Sequence, residues 1–127
     1  MVKKRANKYK TVERAVEFVG EGVEKTLKSQ LSSYEQARNL TLDILNDIGE
    51  TQAYYGRLES SAGFGKVIGR ESLDGKVRWR IDYDPEKGAH INIEDYRNGK
   101  GDKAIKLVIP FDGDEKKVKD IIDNLNK

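Results

Sequence analysis

No cysteine occurs in the 127 residues. Disulfide frameworks, CxxC redox centres, thiolate zinc sites and cysteine nucleophiles are thereby excluded. Proline (two residues), tryptophan, methionine and histidine (one each) are scarce. His90 is therefore the single side chain whose ordinary pKa, ~6.5, allows it both to take and to give a proton at neutral pH. Long apolar runs are missing too. No stretch approaches the ~20 residues of a membrane-spanning helix, so no stable membrane association is expected. Met1–Lys10 lacks the apolar segment of a signal peptide, and an exported form would take its address from a longer parent chain. A strong charge of one sign is also absent: Lys and Arg number 24, Asp and Glu 22, for a net charge of +2. The pI of about 8.7 falls below the value above ~9 that would by itself point to nucleic acid.

What the chain does have is charge in both signs. Charged residues make up 36% and apolar residues 36%, against ~25% charged in an average domain. A small core under a highly solvated surface follows. The length falls within the ~100–200 residues of one domain, long enough to bury a core without disulfide or metal staples. The expected organisation is a single unit over 1–127. It comprises a basic arm over 1–10 (Lys3, Lys4, Arg5, Lys8, Lys10), a helical part over 11–60 and a sheet-bearing catalytic part over 63–127.

Val12, Ala15, Val16, Val19, Val23, Leu27 and Leu31 recur at three- and four-residue steps and predict a first helix. Gly20 and Gly22 weaken it by ~1 kcal/mol each relative to alanine. Ser32 and Ser33, with Glu35 and Gln36 three residues on, form a capping-box signal for a second helix. That helix carries Ala37, Leu40, Ile44, Leu45 and Ile48 on one side, and Gly49 is its natural stop. Thr51–Ser61 is ambiguous, with Ala53, Tyr54, Tyr55 and Leu58 fitting a short helix, and 60–63 reads as a joint. Beyond Gly65 the period becomes two. Strands are predicted at 66–71, 76–83, 89–94 and 103–111, with a hairpin turn at Asp74-Gly75 and another turn over 84–88. Asp112 or Asp114 caps a last helix with the stripe Val118, Ile121, Ile122 and Leu125. The expected fold is α+β: N-terminal helices packed on a four-stranded antiparallel sheet, with a C-terminal helix.

Alternation places Val77, Trp79, Ile81 and Tyr83 on one strand face and Arg78, Arg80 and Asp82 on the other. His90, Asn92 and Glu94 share the polar face of the following strand. Cleaving an RNA phosphodiester without metal needs a base for the 2′-OH, an acid for the 5′-oxygen and cations for the dianionic phosphorane. His90, Arg78, Arg80 and Lys87 are the catalytic candidates. Arg97, Lys100, Lys103, Asn92 and Tyr96 are candidates for binding the substrate. The competing reading is that these are the outward charges of exposed strands and that His90 only hydrogen-bonds. Asp82, Asp84, Glu94 and Asp95 raise Mg²⁺-dependent chemistry, but no HNH, PD-(D/E)xK or zinc spacing accompanies them. Neither metal nor cofactor is expected. Gly63-Phe64-Gly65-Lys66 lacks the Walker spacing and precedes a strand, so it is no phosphate loop. Phe64 and Tyr96, near strand ends, are free to stack on bases, whereas Trp79 and Tyr83 belong to the core by phase.

The stretches Gly65–Arg70 (GKVIGR), Asp74–Gly88 (DGKVRWRIDYDPEKG) and His90–Asp95 (HINIED), closing with Ile109-Pro110-Phe111 and the last helix, resemble a known module. It is the C-terminal toxin domain of LXG-type, wall-associated and contact-dependent growth-inhibition proteins. The resemblance covers about half the chain. Such toxins are similar to the barnase/EndoU/colicin/RelE group of small ribonucleases. The resemblance implies an antibacterial toxin used in interbacterial competition, cutting RNA, often tRNA, by metal-independent transphosphorylation. It implies a cognate acidic immunity protein as partner. It also implies export or surface display within a larger effector, and action in the target-cell cytoplasm. His90 carries over by motif, with Arg78, Arg80 and Lys87 as weaker candidates, and Ala89 departs from the proline expected there. The alternatives are a metal-dependent DNase toxin and a non-catalytic RNA- or protein-binding module.

Overall fold

The computed structural model describes residues 5–10, 15–46 and 48–127, with side chains from Val16 onward. Where a first helix was expected, the described residues Ala15–Gly20 and Glu24–Leu27 are strands instead. Strand β1 (Arg5–Lys10) pairs antiparallel with β2 (Ala15–Gly20), and β2 with β3 (Glu24–Leu27). Strand β2 reads AVEFVG, rich in β-branched and aromatic residues. Val16 and Phe18 are buried while Glu17 between them is not. That is a period of two, which valines counted at helical steps conceal. Gly22, at φ +75°, supplies the left-handed residue between β2 and β3, a conformation open to glycine without steric cost. Residues 1–4 of the expected basic arm, and Val12 of the expected stripe, lie outside the described residues.

The second predicted helix is present as α1 (Tyr34–Leu45). The Ser33 hydroxyl accepts from the Gln36 amide at 3.2 Å, and Gln36 Oε1 accepts in return from the Ser32 amide at 3.1 Å, so the reciprocal cap forms. The helix stops at Asn46, which takes φ +55°, three residues before Gly49. Thr51–Tyr55 is strand β4, not a short helix. Strands β5 (Val67–Ser72), β6 (Val77–Asp84), β7 (Gly88–Asp95) and β8 (Ile105–Pro110) follow close to their predicted bounds. Helix α2 (Glu115–Leu125) closes the chain, with Asp114 accepting from the Lys117 amide at 2.8 Å.

The four-stranded antiparallel sheet with N-terminal helices is thereby corrected. Among the described residues the strands form one eight-stranded mixed sheet in the order β1-β2-β3-β8-β7-β6-β5-β4. Two antiparallel meanders meet at a parallel β3–β8 pair. Strand β3 feeds α1, which carries the chain to the far edge, where β4 starts the return. Both helices cover one face, α1 over β7 and β8, α2 over β5, β6 and β7. Val77, Trp79, Ile81, Ile91, Ile93, Leu107 and Ile109 point into that core together with Phe18, Leu40, Val118 and Ile122. The opposite face of β5–β7 bears no helix and presents the polar row read from the sequence.

Candidate active site on the open sheet face

The hairpin register fixes who meets whom on that face. Strands β6 and β7 pair Arg78 with Glu94, Arg80 with Asn92 and Asp82 with His90. Side chains directly opposite in an antiparallel pair are neighbours, so the alternating basic residues of β6 face Glu94 from two positions. The Arg80 guanidinium hydrogen-bonds Glu94 Oε1, and the Tyr96 hydroxyl donates to Glu94 Oε2. Arg78 completes the group, with Nε 3.9 Å from Glu94 Oε1 and Nη1 3.6 Å from Glu71 Oε2. Its guanidinium lies 5.3 Å from the Tyr54 ring centroid and 5.8 Å from that of Tyr96. A planar cation against aromatic faces is held by the ring quadrupoles. Burial pushes the Glu94 carboxyl upward, but the Tyr96 hydroxyl, Arg80 and Arg78 outweigh it and hold the group below the usual carboxylate range. It is therefore ionised at neutral pH, with two guanidinium groups beside it.

These side chains border a recess of about 250 Å³ lined by Tyr54, Arg57, Leu58, Arg78, Arg80, Asp82 and Glu94, among others. Of the sequence candidates, Arg78 and Arg80 line it, and Tyr96 is bonded to its carboxylate. Asn92 stands opposite Arg80 in the register.

His90 shares the face but is only 1% exposed. Its Nδ1 sits 2.8 Å from the Gly88 carbonyl. A carbonyl only accepts, so Nδ1 carries a proton and donates it there. Lys87, on the turn before β7, reaches Glu24 Oε1 of β3 at 3.1 Å. This links the turn to a strand on the far side of β8. Val108, on the His90 face of β8, is also 1% exposed. Arg97 lies elsewhere, forked onto Asp95 at 2.8–3.2 Å beside the end of α1. Lys100 and Lys103 are exposed around the short 3-10 turn Gly101–Lys103.

Sequence reasoning weighed Glu94 only as a metal ligand and did not single out Arg57. The Glu94–Arg pairing could have been read by folding the two alternating strands about the turn at 84–88. Arg57 could not, because it follows a segment of undecided structure. Among the described residues no three His, Asp or Glu side chains are grouped as metal ligands, and no helix is long and apolar enough to cross a membrane. No protein-family model matches the chain, and no curated protein matches it in sequence.

Proposed function

We propose that the chain is a metal-independent endoribonuclease whose reaction takes place in the recess on the open sheet face. The observation that supports this reading best is the Glu94 carboxylate, held by Arg80, Tyr96 and Arg78 in the lining of a small concavity. In the proposed reaction Glu94 takes the 2′-OH proton as the 2′-oxygen attacks phosphorus. Arg78 and Arg80 offset the charge gathering on the non-bridging oxygens, the role that preorganised cations perform in phosphoryl chemistry. The 5′-oxygen leaves with a proton from the Tyr96 hydroxyl, a neutral donor, and the proton that Glu94 took then passes along their hydrogen bond to the Tyr96 oxygen, restoring both groups. The products are a 2′,3′-cyclic phosphate and a free 5′-hydroxyl. In this reading His90 positions the strand and the turn beneath the site. The resemblance of the β5–β8 segment to toxin ribonucleases supports the same chemistry, and with it tRNA among the substrates, an acidic immunity protein and delivery within a larger effector.

The test is a digest of total RNA and of tRNA, with single-stranded DNA alongside, in the presence and absence of EDTA. The expected result is RNA cleavage unaffected by EDTA, with cyclic phosphate ends. Loss of cleavage in EDTA, restored by Mg²⁺, would transfer the case to metal-dependent chemistry. A second reading, a binding module without catalysis, is favoured by one observation: Arg78, Arg80, Lys87 and Arg97 are each paired with a carboxylate of the chain. RNA retention without any cleavage would establish it.

A further inference from the structure

Of the three arginines at the recess, two are already engaged. Arg80 pairs with Glu94, and Arg78 is shared between Glu94 and Glu71. Arg57 is different. No carboxylate of the described residues pairs with it, and its guanidinium lies 5.2 Å from the Tyr54 ring centroid. The same ring carries Arg78 at 5.3 Å, so two like charges share one aromatic platform. An anion entering the recess would meet, in Arg57, a guanidinium that no carboxylate of the described residues neutralises.

The backbone that presents Arg57 is closed at its neck. The Gly56 amide donates to the Lys66 carbonyl at 2.9 Å, and the Gly65 amide donates to the Gly56 carbonyl at 3.0 Å. A Cβ at Gly56 would stand 2.2 Å from the Gly63 carbonyl oxygen, so the two sides of the loop approach as closely as glycine allows. The Ser61 hydroxyl ties the loop internally to the Leu58 carbonyl at 2.7 Å. Arg57 and Leu58 are thus offered at the rim from a fixed base, and Leu58 is 64% exposed.

Resting on the ribonuclease reading, we infer that Arg57 is a substrate-binding residue. It grips a backbone phosphate of a flexible RNA single strand next to the one being cleaved, with Tyr54 as its platform. The ~250 Å³ recess is smaller than the ~300–1,000 Å³ of pockets that enclose a whole ligand, which suits one phosphate and its sugar entering while the strand runs over the rim. A flexible strand is also what the chemistry requires, since the 2′-oxygen must line up behind the scissile bond.

The experiment measures binding of a labelled single-stranded 2′-O-methyl RNA, which cannot be cleaved, at several KCl concentrations, with cleavage of ordinary RNA followed in parallel. Arg57→Ala should weaken binding about 10-fold. It should also lower the salt slope by about 0.7, the value for one lost contact to a single strand. Arg57→Lys should restore the slope but not the full affinity, since a point charge replaces the fork. Tyr54→Phe keeps the platform and should bind better than Tyr54→Leu. If wild type binds and cuts RNA while Arg57→Ala leaves affinity and slope unchanged, the inference falls and the ribonuclease reading stands. If wild type binds with the Arg57 dependence but never cuts, Arg57 remains a phosphate-gripping residue, while the catalytic reading falls and with it the placement beside a scissile phosphate. If wild type does not bind the analogue at all, the inference is overturned.

Discussion

Two side chains compete for the central role, and burial separates them. Glu94 opens onto a recess, whereas His90 is 1% exposed with one ring nitrogen committed to a carbonyl. Glu94→Gln should reduce RNA cleavage by about 10²–10⁴-fold, the usual contribution of a general base, with the circular dichroism spectrum unchanged. His90→Gln should lower the melting temperature and leave cleavage within about 10-fold of wild type, because loss of a buried hydrogen-bonding group acts on stability. The reverse pattern would return the proton-transfer role to His90. The carboxylates also set a pH response. Burial raises Asp95 but its contacts with Arg97 prevail, and Glu94 is held down likewise. A depressed folded pKa stabilises above the unfolded pKa, ~3.9 for Asp and ~4.3 for Glu, and that stabilisation is lost as pH falls through the folded value. The melting temperature should change little on their account between pH 8 and 5 and drop below about pH 4. The drop should shrink in a Glu94→Gln, Asp95→Asn double variant that is already less stable at pH 7. An acid limb of unchanged steepness would remove these two groups from the explanation.

At the scale of elements, the strands from β5 to β8 were legible because apolar and polar residues alternate cleanly and Asp74-Gly75 marks the turn. Residues 11–31 were not. Their valines fit both a three-to-four-residue step and a two-residue step, and for the described residues the hairpin pairing of Phe18 with Leu27 and the long-range pairing of Lys25 with Leu107 decide between them. The Lys87–Glu24 pair was hidden for the same reason, since Glu24 lies on a strand the pattern did not offer. Gly69 shows how tightly β5 and β6 are drawn together. A Cβ there would meet the Trp79 carbonyl oxygen at 1.8 Å and the Arg80 Cα at 2.8 Å. Both are backbone atoms of the partner strand and cannot rotate away. Gly69→Ala should therefore destabilise by roughly 3 kcal/mol, at the upper end of ordinary single substitutions, read as an earlier urea midpoint. It should also displace Arg80 from the recess and slow cleavage. A wild-type midpoint would mean that the two strands separate there at little cost.

Seen whole, the molecule is a sheet with both helices on one side, and the other face of β5–β7 bears no helix among the described residues. A net charge of only +2 gives the molecule little long-range pull on anions, so the toxin reading needs a local attraction, for which Arg57, Arg78 and Arg80 at the recess are the groups in place. The toxin reading calls for an inhibitor in the producing cell. The simplest one puts carboxylates where RNA puts phosphates, covering the recess in a 1:1 complex. Opposite charges at the contact would raise the association rate toward ~10⁸–10⁹ M⁻¹s⁻¹ at low salt. The rate should then fall steeply with ionic strength, since charges farther apart than ~8 Å are screened at 0.15 M salt. Replacing Arg57 by Glu should slow association several-fold. The same reversal at Lys100, on the loop beside the 3-10 turn, should have little effect. The non-cleavable RNA should compete with the inhibitor for the site. The measurement is stopped-flow association over a range of KCl, with RNA added in a second series. A salt-independent rate, together with a stable ternary complex of toxin, inhibitor and RNA, would place the immunity surface away from the open face.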